Sequence, residues 1–172
     1  MLIEAIEEYI EVTDTFINTL SKFTEDNFNK QALNSSWTAA QVAQHILKSQ
    51  IGIPACLIGN TIPAKRQADE KKDMLAGIFL DFNAKYKSPS YILPDDAPHE
   101  KTIMLAGLKE IFDKIKLTAE TLNDDFVCLD FDTNAFGPLT RLEILYLSIY
   151  HIIRHERQAD VIYQSLTHQG PV

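Results

Sequence analysis

Leu142-Glu-Ile-Leu-Tyr-Leu-Ser-Ile-Tyr-His-Ile-Ile-Arg-His-Glu-Arg-Gln158 is the most apolar helical stretch of this chain, and it carries two histidines four residues apart. A spacing of four turns a helix by about 400°, so His151 and His155 stack on one face about 6 Å apart along the axis. Both imidazoles then lie within reach of one metal ion. The spacing alone leaves two readings open, a metal clamp or polar punctuation on a half-exposed helix. Apolar residues on several faces of 142–153 fit a central helix that packs on more than one side.

The start of this helix is legible upstream. Thr140 and Glu143 form a capping box, Leu139 and Ile144 staple it, and Gly137-Pro138 breaks the chain just before. It continues to about Leu166. A second helix repeats the same signals. Thr38 with Gln41 makes its capping box, Trp37 and Val42 its staple, and it runs through His45 to about Ile53, where Pro54 marks a bend or end.

Working outward, residues 2–21 carry Leu2, Ile6, Tyr9, Ile10, Thr13, Phe16, Ile17 and Leu20 at helical spacing, followed by an acidic turn at 24–28. A helix over about 99–122 opens after Pro98, with Ile103, Leu105, Leu108, Ile111, Phe112, Ile115 and Leu122 as apolar anchors. Between the second helix and this one, an extra helix over 64–83 is expected, with Met74, Leu75, Ile78, Phe79 and Phe82 as its stripe. Pro89 and Pro94 make 85–94 an extended loop. Residues 126–131 read equally as a short strand or an extended connector. The expectation is an all-α chain. It is a four-helix bundle with a long crossover between helices two and three that carries the extra helix, and a single domain over residues 1–172.

Composition narrows the function classes. The chain has 172 residues, 45% hydrophobic and 23% charged, which suits one ordinary globular domain. Sixteen Lys and Arg against 24 Asp and Glu give a net charge of -8, and there is no basic run, so nucleic acid is a poor partner. No segment approaches 18 uninterrupted apolar residues, and the amphipathic, acidic opening does not read as a leader peptide, so neither a leader nor a membrane span is expected. Membrane partners are therefore not expected. Cys56 and Cys128 form neither a CxxC pair nor a disulfide framework; both read as buried thiols of a reducing, cytoplasmic compartment.

A metal site needs a third ligand beside the histidine pair. His45 is the best candidate because it lies mid-helix, three residues after the core-like Val42. His99, beside Pro98, and His168, in the tail, are poorer. Three neutral imidazoles leave a coordination position open, as catalytic metal sites do. His-Ile-Ile-Arg-His lacks the carboxylate of the His-Glu-x-x-His proteases, because position 152 is isoleucine. Glu156 points about 100° away from His155, toward the surface or an outer shell of the site.

Several landmarks now stand in one order: Ser36-Trp37-Thr38 before the helix with His45, the proline-bearing 87–94 connector, Gly137-Pro-Leu-Thr140, and His151-x-x-x-His155 followed by Arg157-Gln158. In this order, over nearly the whole chain, they resemble the DinB-like/YfiT-like superfamily of metal-binding four-helix bundles. The resemblance implies a three-histidine site at His45, His151 and His155 with zinc or nickel as its occupant. It also implies a homodimer. Some members transfer a low-molecular-weight thiol such as bacillithiol or mycothiol, others have isomerase activity, and others are presumed hydrolases. The leading expectation is accordingly a metal-dependent enzyme acting on a small molecule by thiol transfer, with Arg154, Arg157, Tyr150 and Lys48 as candidates to hold an anionic thiol cosubstrate. The alternatives are a hydrolase that uses water in place of the thiol, and a non-enzymatic metal-binding or interaction bundle.

Overall fold

A computed structural model describes residues 1–33, 35–131 and 135–167. In chain order its helices are α1 (Leu2–Ser21), α2 (Glu25–Phe28), α3 (Ala39–Gln50), α4 (Ile53–Ile58), α5 (Lys72–Phe79), α6 (Lys101–Ala119) and α7 (Arg141–Thr167). The strands are β1 (Thr61–Pro63), β2 (Phe126–Cys128) and β3 (Leu139–Thr140). Among the described residues no helix is long and apolar enough to cross a membrane.

The four longest helices share one core. α1 packs on α6 and α7, and α3 packs on the same two. α7 is buried on every side over residues 142–152 because α1, α3, α4 and α5 all lean on it. An all-round apolar helix has no other stable place. Its serine there, Ser148, donates to Gln50 Oε1 at 2.8 Å and so enters the core with a partner. Tyr9, Phe16 and Phe112 interlock across α1 and α6.

Both expected capping boxes are present. Thr38 Oγ1 accepts from Gln41 N–H while Gln41 Oε1 accepts from Thr38 N–H. Glu143 and Thr140 do the same at the start of α7. The 24–28 turn is itself a four-residue helix with its own box, Thr24 and Asn27. The second helix stops at Gln50 and restarts at Ile53 with Pro54 in the first turn of α4, which is the bend that the proline marked.

Three expectations are refined. First, the fold is mostly helical and broadly fits the all-α expectation, with a small antiparallel sheet of β1, β2 and β3, in that order, added to it. Thr61 pairs with Cys128, and Cys128 with Leu139. Residues 126–128 are thus a strand, stabilised by partners remote in sequence. Second, the 64–83 helix shrinks to α5. Tertiary bonds take the backbone groups that a longer helix would use: Lys71 N–H donates to Glu143 Oε1 at 2.8 Å, and Ala68 O accepts from Thr140 Oγ1 at 2.5 Å. Of its expected stripe only Leu75 is fully buried, while Met74 and Phe82 are exposed. Third, the helix expected over 99–122 is α6, and Ile103 on it is 67% exposed; Met104 faces the core instead. Cys128 is buried as expected, whereas Cys56 is half-exposed, and both are free thiols.

Candidate metal centre

His45 on the second turn of α3 meets His151 and His155 on successive turns of α7. One ligand nitrogen from each lies within 4.8 Å of the others. The two helices can bring them this close because both are locked at their N-termini and pack directly on each other. His45 is 1% exposed, and His151 and His155 are each 8% exposed. His99 lies elsewhere, its backbone paired with the Asn29 side chain. His168 falls outside the described residues.

Outer partners orient two of the rings. His45 Nδ1 lies 2.8 Å from the carbonyl oxygen of Ile92, which can only accept. Nδ1 therefore carries the proton, and the Nε2 lone pair turns inward. His155 Nδ1 is held in the same sense by Gln158 Oε1 at 2.8 Å. This is the arrangement by which metal-ligating histidines are usually fixed. His45 Nε2 then faces His151 Nε2 at 3.1 Å. Two ligand nitrogens around a tetrahedral ion, each about 2.0–2.1 Å from it, stand about 3.3 Å apart. The spacing and the donor set fit a borderline divalent ion such as zinc or nickel.

Aromatic walls pack the triad. The Trp37 ring lies 5.0 Å from His45 and is nearly parallel to His155 at 6.1 Å. Phe79, at the end of α5, sets its ring 5.5 Å from His151. These walls exclude water, so burial dominates the electrostatics. Desolvation holds His151 well below its ordinary value, reinforced by the charges that His155, His45 and Arg154 would present. Desolvation, then His45, brings His155 down to about 3, against a small upward pull from Gln158. His45 is lowered by desolvation too, partly offset by its bond to Ile92. All three imidazoles are therefore neutral at pH 7, which is the form that binds metal.

Among the described residues the cluster comprises these three histidines and no carboxylate or thiol. Three protein ligands leave room for a fourth, exogenous one. The four groups expected to bind a cosubstrate are engaged in different ways. Arg154 donates to the backbone carbonyls of Phe79, Asp81 and Ala84. Lys48 donates to Leu93 O and pairs with Asp95. Tyr150 stacks on Tyr146. Arg157 is exposed and lies over the Phe82 ring at 4.4 Å. Glu156, expected at the surface or in an outer shell, accepts from Thr19 Oγ1 at 2.8 Å and ties α7 to α1.

Sequence reasoning missed the orienting groups. Gln158 had a usable signal, since it follows His155 by three residues and so shares its face. The Ile92 carbonyl and the Phe79 ring had none, because only the fold brings them to the triad.

No curated protein and no solved structure matches the chain. The family model described as the DinB family matches residues 2–169, and those landmarks of the sequence lie within that span. The chain belongs to the DinB family.

Proposed function

We propose that the chain is a metal-dependent enzyme that transfers a low-molecular-weight thiol to a small electrophile. One observation carries the reading: three buried, neutral imidazoles converge their ligand nitrogens within 4.8 Å, without a fourth protein ligand among the described residues. The packing of α1, α3, α6 and α7 supports the family's four-helix bundle as the scaffold. A divalent ion, zinc or nickel, held by these residues would supply Lewis acidity that lowers the pKa of a bound thiol.

The chain's own residues do the rest. His45, His151 and His155 hold the ion and stay neutral, while Ile92 O and Gln158 keep two of the rings in the ligating tautomer. Trp37 and Phe79 keep water from the rings. Arg157 offers an exposed guanidinium to an anionic thiol. The sulfur–carbon bond forms as the leaving group departs with its electron pair, and the thiol proton passes to solvent. Cys56 and Cys128 need no part in it, since desolvation raises both thiols above their ordinary value. A cytoplasmic location and a homodimer complete the proposal; the first supplies such thiols, and sedimentation tests the second.

Protein purified without a metal resin decides the matter. Close to one zinc or nickel per chain is expected, with turnover of an electrophile that requires both metal and thiol and is lost in His45→Ala. Less than roughly one-tenth metal per chain, unaltered by added zinc or nickel, overturns the metal reading. Bound metal without turnover by any cellular thiol overturns thiol transfer.

A further inference from the structure

The connector between α5 and α6 runs from α7 to α3, and each of its ends lands on a different ligand of the triad. At the α7 end the Phe79 ring meets His151 at 5.5 Å. At the α3 end Ile92 O meets His45 Nδ1 at 2.8 Å. The α3 end is clasped further: Asp95 N–H donates to Gln44 Oε1 at 2.6 Å, Gln44 Nε2 returns a bond to the Asp95 carboxylate, and Lys48 donates to Leu93 O. Between the two ends, Tyr86, Lys87 and Tyr91 are exposed.

The α7 end depends on Arg154. Its guanidinium donates to Phe79 O at 3.1 Å, to Asp81 O at 2.8 Å and to Ala84 O, and it lies 5.4 Å from the Tyr86 ring. Phe79 O is among the carbonyls that the end of a helix leaves without an intrahelical partner, and Arg154 supplies that partner from another helix. Arg154 stands on the α7 turn between His151 and His155. A cation placed beside two metal ligands repels the ion that they bind, so its place there calls for a compensating role. Holding the connector is that role.

We propose that Arg154 is a positioning residue of the metal centre: it seats residues 79–92 as a strap whose two ends order His151 and His45, so that strap closure and metal binding form one coupled equilibrium. The proposal rests on the metal reading above. Its physical basis is access. The ligand histidines are at most 8% exposed, and neither of two cavities elsewhere, about 230 Å³ between α1 and α6 and about 350 Å³ beside Thr38 and Pro98, is lined by any of them. Entry of an ion or substrate to nitrogens this buried is eased by an opening, and helices packed in the core are harder to lift than a loop held by polar bonds at its ends. Coupling of this kind is reciprocal. If the seated strap raises zinc affinity by some factor, zinc raises strap seating by the same factor.

Two measurements with zinc as the probe test this. Amide exchange of Ile92, Leu93 and Asp95 in the wild-type chain, with and without saturating zinc, is expected to slow when zinc is present. Zinc affinity, measured by competition with a chelator, is expected to fall about tenfold in Arg154→Ala, with partial recovery in Arg154→Lys, whose single ammonium cannot serve three carbonyls at once. A purely structural arginine would change stability and leave zinc affinity where it was. Zinc affinity within twofold of wild type in a folded Arg154→Ala chain overturns the proposal and spares the metal site. So does wild-type exchange that ignores zinc, which decides the matter if the variant does not fold. A wild-type chain that binds no zinc overturns the metal reading and this inference together.

Discussion

Two buried polar clusters lie on α7 two turns apart, and they resolve their charges in opposite ways. Around Glu143, fully buried near the start of the helix, donors match the acceptor sites of the carboxylate. Arg66 gives two bonds at 2.5 and 2.6 Å, Lys71 N–H one at 2.8 Å and Thr140 N–H one at 2.9 Å. Burial pushes its carboxyl upward, and these bonds overcome the push and hold it below the ordinary carboxylate value. Around His151 the balance is reversed. Three imidazoles turn ligand nitrogens toward one another, and the bonds that orient two of them lie on their far sides. The first cluster closes on itself and acts as a joint between α7 and the 66–71 segment. The second converges acceptors on a point, which favours a cation placed there. A buried polar cluster is read as joint or site by that balance, not by its burial.

The largest test of this contrast is added zinc. At about a thousand times its dissociation constant, zinc should stabilise the wild-type chain by about 4 kcal/mol, a rise of roughly 10 °C in Tm. His151→Ala should abolish the rise. Glu143→Ala should keep it, starting from a lower Tm. A zinc shift lost in Glu143→Ala would show that the two clusters are one unit, and the contrast would fall.

The joint should give the next largest effect. Glu143→Ala removes the carboxylate that Arg66, Lys71 and Thr140 share, and is expected to destabilise the metal-free chain by about 3 kcal/mol, read from urea midpoints at unchanged slope. Less than about 1 kcal/mol would reduce the joint to an ordinary surface ion pair.

How much of this was legible follows the same division. Thr38 with Gln41 and Thr140 with Glu143 were readable because a cap needs only residues three apart. His151 and His155 were readable because their spacing is helical. His45 was found by its place in a capped helix, and the ordered landmarks added the family. Partners supplied by the fold were not readable. Nothing in Arg66, Gln67 or Ala68 says that their segment will bond to residue 143 or 140, so local periodicity extended α5 backward through them. Ile103 and Phe82 kept helical spacing with the core residues and still face solvent, because spacing fixes a stripe but not which neighbour covers it. The backbone oxygen of Ile92 carries no residue identity at all.

Acid separates the two clusters along the pH axis. The triad histidines have folded values depressed below the unfolded value of about 6.5, His155 to about 3. Between those limits the unfolded chain binds more protons, so metal-free stability falls as pH drops below about 6.5, by up to about 1.4 kcal/mol per pH unit for each fully shifted histidine. Glu143 is also depressed, and its contribution is present above about 4.5 and lost as pH falls through its folded value. Stability curves in chelator should therefore slope downward from about pH 6.5, with a steeper second slope added below about 4.5. His155→Ala should lessen the first slope and its continuation to about pH 3, and Glu143→Gln only the added second one. Burial also moves proton competition for the ligands downward, so zinc held by the folded chain should persist to lower pH than free imidazoles would allow. A first slope unchanged in His155→Ala would mean that the imidazoles are not buried as neutral groups.

The smallest effect compares the two caps. Thr38→Ala removes one capping bond on a partly exposed turn and should cost about 1 kcal/mol. Thr140→Ala removes the matching bond and a second one, since the same hydroxyl donates to Ala68 O in a fully buried setting. It leaves that carbonyl without its partner and should cost about 2 kcal/mol. Neither change reaches the triad directly: His45 lies nearly two turns beyond Thr38, and His151 three turns beyond Thr140. Both variants should therefore keep the full zinc-induced rise in Tm, which separates the strength of a helix start from the order of the ligands that the helix carries. Equal costs at the two caps would mean that the bond to Ala68 adds nothing, and that the joint begins at Glu143 rather than at Thr140. A zinc response weakened by Thr38→Ala alone would place the first turn of α3, with Trp37 against His45 and His155, inside the metal centre.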